Sequence, residues 1–180
     1  KFELWCFLNP TFAKPKNVST NSRADPKTKH NLMNSFTIKG EADFVRINLE
    51  EVFGFPDETS HWGGYDVNAS IEIKSGNFQV RSTFYTSTGE LFEFYERIKK
   101  CNEVLKGFVL YENYEKNLSM KASYDDLGHL EISGTFSEND NFRNKLNFEF
   151  NSDQSFIRYT IEELELIATQ YGGMNGQVII

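Results

Sequence analysis

The chain has 180 residues, of which 39% are hydrophobic and 15% aromatic, enough apolar material for one folded domain and too much for a disordered chain. Its net charge of −7 argues against nucleic acid or an anionic membrane surface as a partner. The two cysteines, Cys6 and Cys101, lack metal-ligand spacing, and no apolar run approaches a membrane span, which favours a reducing, cytoplasmic setting without a metal or cofactor.

Residues 1–34 are predicted to be a poorly structured basic leader. Three of the four prolines lie there, and neither helical nor strand periodicity is present. Residues 1–33 carry a net charge of +4, so residues 34–180 carry −11, from 13 basic and 24 acidic side chains. We expect a single domain over 35–180, with Met33 as the natural start and the leader outside the native protein. The alternative is a disordered basic tail with its own partner.

The first half of this domain shows strand periodicity. Residues 36–53 predict one or two strands, because Val45, Ile47 and Leu49 alternate with polar residues. Phe55-Pro56-Asp57 breaks the run, and Glu58–Asp66 is a loop containing a glycine pair. The turn Ser75-Gly76-Asn77 then joins two further strands as a hairpin.

Two helices interrupt the strand pattern. Ser87-Thr-Gly-Glu90 predicts a capping box, and Gly107 is a suitable stop. The buried stripe of this helix is expected to be Leu91, Phe94, Tyr95, Ile98, Cys101 and Leu105. After further strands and a polar loop at Ser137–Asn144, Ser152 or Asp153 caps a second helix that ends at Gly172-Gly173. The predicted fold is α+β: an antiparallel sheet of about six to eight strands, covered on one face by two helices.

The sequence contains no recognisable catalytic or metal-binding pattern. Of the histidines, His30 lies in the leader, His129 is placed on the polar face of a strand, and His61 stands in the glycine-rich loop. Cys101 is assigned to a helix core rather than to a reactive thiol. The carboxylates Glu162, Glu163 and Glu165 are placed on a solvated helix face, with a glycosidase-like pair not excluded by composition.

The glycine-rich loop Glu58–Asp66 is the best candidate for contact with a partner. Trp and Tyr are enriched at binding hot spots, and acidic neighbours would complement a basic target. The alternative is that both aromatic rings tuck under the loop as a small satellite cluster. The candidate partner-binding residues are Asp57, Glu58, His61, Trp62, Tyr65 and Asp66.

From Phe36 to Gly173 the chain resembles the WapI family of immunity proteins. The matching segments are Glu51–Pro56, Ser60–Asp66, Ser87–Tyr95, Asp126–Gly134 and Leu146–Ser155. The resemblance implies a cytoplasmic, non-enzymatic inhibitor that binds a cognate toxin domain, in this family often a nuclease. We expect a monomer or weak homodimer. The alternatives are a small ligand-binding or enzymatic α+β domain and a homo-oligomerisation module.

Overall fold

The computed structural model describes residues 34–138 and 144–177. Within these ranges, eight strands and two helices follow one another in the order ββββαββββα. They are β1 (Ser35–Lys39), β2 (Phe44–Val52), β3 (Asp66–Ser75), β4 (Phe78–Ser87), α1 (Thr88–Val104), β5 (Gly107–Glu112), β6 (Leu118–Tyr124), β7 (Leu130–Ser137), β8 (Lys145–Ser152) and α2 (Gln154–Tyr171). The predicted strand pair within 36–53 is confirmed as β1 and β2, and the predicted hairpin as β3 and β4.

The strands form two antiparallel sheets of four strands, in the orders β1-β2-β3-β4 and β5-β6-β7-β8. The predicted α+β class, antiparallel pairing and two helices are confirmed. The expected single sheet is replaced by two, because each strand pairs with its neighbours along the chain and α1 separates β4 from β5.

The inward faces of both sheets and the apolar faces of both helices enclose one common core. Val45, Ile47 and Leu49 are buried, as their alternation predicts. The bulkiest fully buried side chains include Phe36 on β1 and Phe136 on β7, so each sheet contributes aromatic rings to the core.

The two helices lie between the edges of the sheets. Helix α2 packs along β1, and α1 packs against both α2 and β5. At the β1 edge, the Thr37 N–H donates to Glu163 Oε2 at 2.8 Å, and Thr160 Oγ1 donates to the Thr37 carbonyl at 2.7 Å. These side chains of α2 satisfy the backbone N–H and carbonyl of Thr37 on an edge strand that would otherwise be open to pairing. Glu163 is therefore half-buried rather than solvated, whereas Glu162 and Glu165 are exposed as predicted.

The helix ends follow from local side-chain chemistry. The predicted capping box of α1 is confirmed, since Ser87 Oγ accepts from the Glu90 N–H at 3.1 Å and Glu90 Oε2 accepts from the Ser87 N–H at 3.0 Å. The helix ends at Val104, earlier than Gly107 suggested, because Leu105 adopts a left-handed conformation at φ 51°. Leu105 is consequently exposed, and its predicted place on the buried stripe is wrong. Asp153 caps α2.

The described part of the chain begins at Asn34, which the sequence placed in the leader. The Asn34 carbonyl accepts from the Leu49 N–H at 2.7 Å, and its side-chain oxygen accepts from the Tyr171 hydroxyl at 3.1 Å. Asn34 is therefore bonded to the domain. The rest of the predicted leader, residues 1–33, lies outside the described residues, as do residues 139–143 of the predicted polar loop.

Candidate functional site

The loop between β2 and β3 docks on the beginning of α1. The Tyr65 N–H donates to Thr88 Oγ1 at 2.9 Å, and the Thr88 N–H donates to the Tyr65 carbonyl at 2.9 Å. The Gly64 N–H donates to the Met174 carbonyl at 2.7 Å, so the turn after α2 holds the loop from the other side. The loop is thus fixed by backbone bonds to two elements distant in sequence.

Tyr65 anchors this loop from the inside. Its side chain is 0% exposed, and the Phe55 ring meets it edge-on with ring centroids 5.1 Å apart. The Tyr65 hydroxyl donates to the Pro56 carbonyl at 3.2 Å and accepts from the Gln177 N–H at 3.0 Å. The expectation that Tyr65 is exposed for a partner is wrong, because burial of the ring satisfies both its apolar surface and its hydroxyl.

Trp62, in contrast, is 49% exposed. Its indole stacks on the Tyr114 ring of the β5–β6 turn, with centroids 5.5 Å apart and planes 2° from parallel. The backbone N–H of Trp62 donates to Ser60 Oγ at 3.1 Å, and the His61 ring meets the indole edge-on with ring centroids 5.3 Å apart. The indole is therefore held in one orientation while half of its surface faces solvent.

The remaining candidate residues lie along the same loop and at the start of β3. Asp57, Glu58 and His61 are exposed on the loop. Asp66 is half-buried at the start of β3 and accepts from the Ser60 hydroxyl at 2.6 Å. We call these residues, together with Trp62, the loop surface: Asp57, Glu58, His61, Trp62 and Asp66.

The structure adds residues from the β5–β6 turn that the sequence did not indicate. Tyr114 is half-buried, and burial, followed by the charges of Asp66, Glu115 and Glu90, raises its pKa to about 12. Burial also raises the pKa of Glu90, with a further contribution from the charge of Asp66. These shifts show that carboxylates of three separate elements share one negative environment beside Trp62.

Among residues 34–138 and 144–177, no three His, Cys, Asp or Glu side chains are grouped as metal ligands. His129 is exposed in the turn before β7, not on the strand as expected, and its Nδ1 lies 2.9 Å from Asp125 Oδ2. In the same described ranges, no buried side-chain nitrogen or oxygen lacks a hydrogen-bond partner, so no core polar group awaits a ligand. None of the described helices is both long and apolar enough to cross a membrane.

Residues 36–172 match the immunity protein WapI-like family, from the first strand to the end of α2. The chain belongs to the WapI-like immunity protein family. Membership implies an immunity function against a toxin, with a toxin protein as partner. No curated protein and no solved structure gives a significant match. The loop surface and the beginning of α1 lie within the matched range of this WapI-like chain, and the turn that holds the loop through Met174 follows that range.

Proposed function

We propose that this WapI-like protein neutralises a basic toxin domain of the nuclease type by binding over its active surface through the loop surface. The observation that carries the proposal is the half-exposed indole of Trp62, stacked on a Tyr114 ring on which the charges of Asp66, Glu90 and Glu115 act. Trp is a frequent anchor of protein interfaces, and a ring already held in place loses little conformational entropy when a partner covers it.

The charge of the domain supports a basic target. Residues 34–180 carry a net charge of −11, and Asp57 and Glu58 are exposed on the same loop as Trp62. A nuclease must hold phosphates, so its active surface is basic, and an acidic inhibitor is drawn to it and competes with its substrate.

In this proposal the protein acts in the cytoplasm as a stoichiometric inhibitor rather than as an enzyme, and it needs no cofactor. Immunity proteins of this family are generally non-enzymatic. The buried hydroxyls of Thr86 and Tyr111 lie 2.8 Å apart and bond to each other, which supports a structural rather than a catalytic role for these core polar groups.

The test is co-expression with the toxin domain encoded beside this chain's gene, measuring cell survival, co-purification and the Kd of the purified pair. Trp62→Ala should weaken binding by about thirtyfold or more, because truncating a central aromatic anchor costs roughly 2 kcal/mol or more. Tyr159→Ala is the matched control, since Tyr159 is 65% exposed on α2 and lies outside the loop surface.

Tyr65→Phe separates binding from folding. It removes the buried hydroxyl bonds, so it should lower the free energy of unfolding by about 1 kcal/mol and leave the toxin Kd unchanged. Absence of a complex at micromolar concentration, or cells that die in spite of co-expression, would refute the immunity function proposed for this chain. Equal affinities of Trp62→Ala and Tyr159→Ala would refute the role of the loop surface.

A further inference from the structure

A groove of about 280 Å³ lies between α1 and β5. Glu90, Glu93 and Arg97 line it from α1, and Leu110 and Glu112 line it from β5. The groove combines an apolar floor with an acidic rim.

The floor is made of side chains that the core holds in place. Phe94 and Tyr111 are almost wholly buried, and their rings meet edge-on with centroids 5.6 Å apart. Leu110 is 53% exposed at the side of the groove, although it stands on a strand whose neighbours Val109 and Tyr111 are buried. An exposed leucine next to buried rings offers a surface that a long aliphatic side chain can cover.

The rim has an excess of negative charge. Glu90, Glu93 and Glu112 contribute three carboxylates, against the single guanidinium of Arg97, which pairs with Glu93 at 3.0 Å. The Glu90 side chain is half-buried, and this burial raises its pKa. A cation entering the groove would compensate the charge of Glu90, in addition to the hydrogen bonds that its carboxylate accepts from the Thr86 hydroxyl and the Ser87 N–H.

One end of the groove, at Glu90, lies close to Tyr114. Tyr114, on which Trp62 stacks, follows Glu112 in the β5–β6 turn, and a backbone hydrogen bond from Tyr114 contributes to the environment of the Glu90 carboxylate. A partner that covers the indole of Trp62 therefore comes close to the Glu90 end of the groove.

We propose that the groove between α1 and β5 binds an arginine side chain of the toxin, with the aliphatic part on Leu110 and the guanidinium among Glu90, Glu93 and Glu112. This inference rests on the proposed function, because that function supplies the basic partner. Arginine fits better than lysine, since its planar guanidinium presents five N–H donors that can bond to several carboxylates at once.

The first test uses the purified toxin domain and two double variants that each remove two negative charges. In Glu93→Gln/Glu112→Gln both positions line the groove, and in Glu41→Gln/Asp126→Asn both are exposed in turns elsewhere, the β1–β2 and β6–β7 turns. We expect the groove variant to raise the toxin Kd by about tenfold or more and the control variant by about twofold or less, because close charge pairs contribute far more than distant ones. If wild-type protein binds toxin and both double variants bind it equally, the groove proposal is wrong while the immunity function stands.

The second test does not depend on the toxin. Acetyl-Gly-Arg-Gly-amide is titrated to millimolar concentration into the ¹⁵N-labelled full chain, and the same peptide with citrulline, a neutral analogue of arginine, is the control. The proposal expects amide shifts at Phe94, Leu110 and Glu112 with the arginine peptide only. Shifts scattered over the surface, or equal shifts with citrulline, would overturn it. Shifts confined to the groove without any toxin complex would support the arginine site and reject the toxin as its source.

Discussion

Two aromatic residues three positions apart in the β2–β3 loop have opposite exposures. Tyr65 is completely buried, and Trp62 is about half exposed. The difference comes from their surroundings: Tyr65 enters the space between Phe55 and the turn after α2, whereas Trp62 lies over Tyr114 at the surface. One ring therefore stabilises the loop, and the other is left for a partner.

Glu90 combines a capping role with an unfavourable charge. Its Oε2 accepts from the Thr86 hydroxyl at 2.7 Å and from the Ser87 N–H at 3.0 Å. The Thr86 oxygen is also 2.8 Å from the Tyr111 hydroxyl, and because Thr86 donates its proton to Glu90, Tyr111 donates to Thr86. Burial is the largest cause of the raised pKa of Glu90, larger than the effect of these hydrogen bonds.

We predict that Glu90→Gln removes a pH dependence from the stability of the protein. A carboxyl group whose pKa is raised on folding binds its proton more tightly in the folded state. Its contribution to stability is therefore present below the ordinary value of 4.5 and is lost as the pH rises through the folded pKa. Gln retains an oxygen that accepts the capping bonds but has no charge. The free energy of unfolding of wild type relative to Glu90→Gln, measured in urea, should fall as the pH rises from about 4.5.

Glu103→Gln is the matched control for this experiment, because Glu103 is exposed at the opposite end of α1. Its effect on the free energy of unfolding should change little over the same pH range. A pH profile of Glu90→Gln that parallels wild type would contradict the assignment of a poorly solvated carboxylate to position 90.

At the scale of elements, the docking of the loop on α1 depends on two facing glycines. The Gly89 N–H donates to the Gly63 carbonyl at 3.2 Å, and a Cβ on Gly89 would collide with the backbone of Gly63. A Cβ on Gly64 would likewise collide with Thr88, and Gly64 has a positive φ of 60°. A side chain at Gly64 or at Gly89 would therefore separate the loop from the helix.

We predict that Gly89→Ala destabilises the protein by roughly 1–3 kcal/mol, the usual cost of overpacking. The sign of this change in stability is informative, because in an exposed helix Gly→Ala stabilises by up to about 1 kcal/mol. Urea unfolding measures the change in stability, and the fluorescence of Trp62 should report a displaced loop. Glu96→Ala, on the same helix, controls for helix propensity. A stabilising effect of Gly89→Ala would show that the loop does not press on the helix.

The elements that the sequence predicts well are those with local signals. The capping box at Ser87 and the alternation of Val45, Ile47 and Leu49 depend on residues a few positions apart, so strands and helices follow from periodicity. The division into two sheets depends on which strand edges meet. The free edge of β1 is closed at Thr37 by Thr160 and Glu163, which lie more than 120 positions further along the chain. Such long-range contacts leave no local pattern.

For the candidate site as well, the sequence predicts the features that depend on nearby residues and not those that depend on distant ones. The loop and its Trp62 could be identified from residue types, since an aromatic in a glycine-rich acidic loop is a frequent interface residue. The burial of Tyr65 could not, because it requires Gln177 and the turn after α2. Tyr114 and Glu112 could not either, since nothing in residues 108–117 indicates that this turn lies beside Trp62.

For the whole molecule, the acidic excess is spread over surfaces with different roles. Glu72 pairs with both Arg46 and Arg81 on the outer face of the first sheet, and hydrogen bonding to Arg81 is the largest cause that lowers its pKa. Among the described residues, Arg97 is the one basic side chain that lines the groove, beside the three carboxylates of Glu90, Glu93 and Glu112. The negative potential is therefore expected to be strongest at the end of the molecule that we assign to the toxin.

We predict that the association rate constant with the toxin falls steeply as salt rises, whereas the dissociation rate constant changes little. At 0.15 M salt the screening length is about 8 Å, so added salt weakens the long-range attraction that steers encounter but not the short contacts around Trp62. Stopped-flow mixing from about 0.05 to 0.5 M NaCl separates the two constants. The slope of the association rate against salt should be shallower for Glu93→Gln/Glu112→Gln than for Glu41→Gln/Asp126→Asn, although both have the same net charge. Equal slopes would mean that only the total charge steers the encounter, and a flat profile for wild type would contradict electrostatic steering altogether.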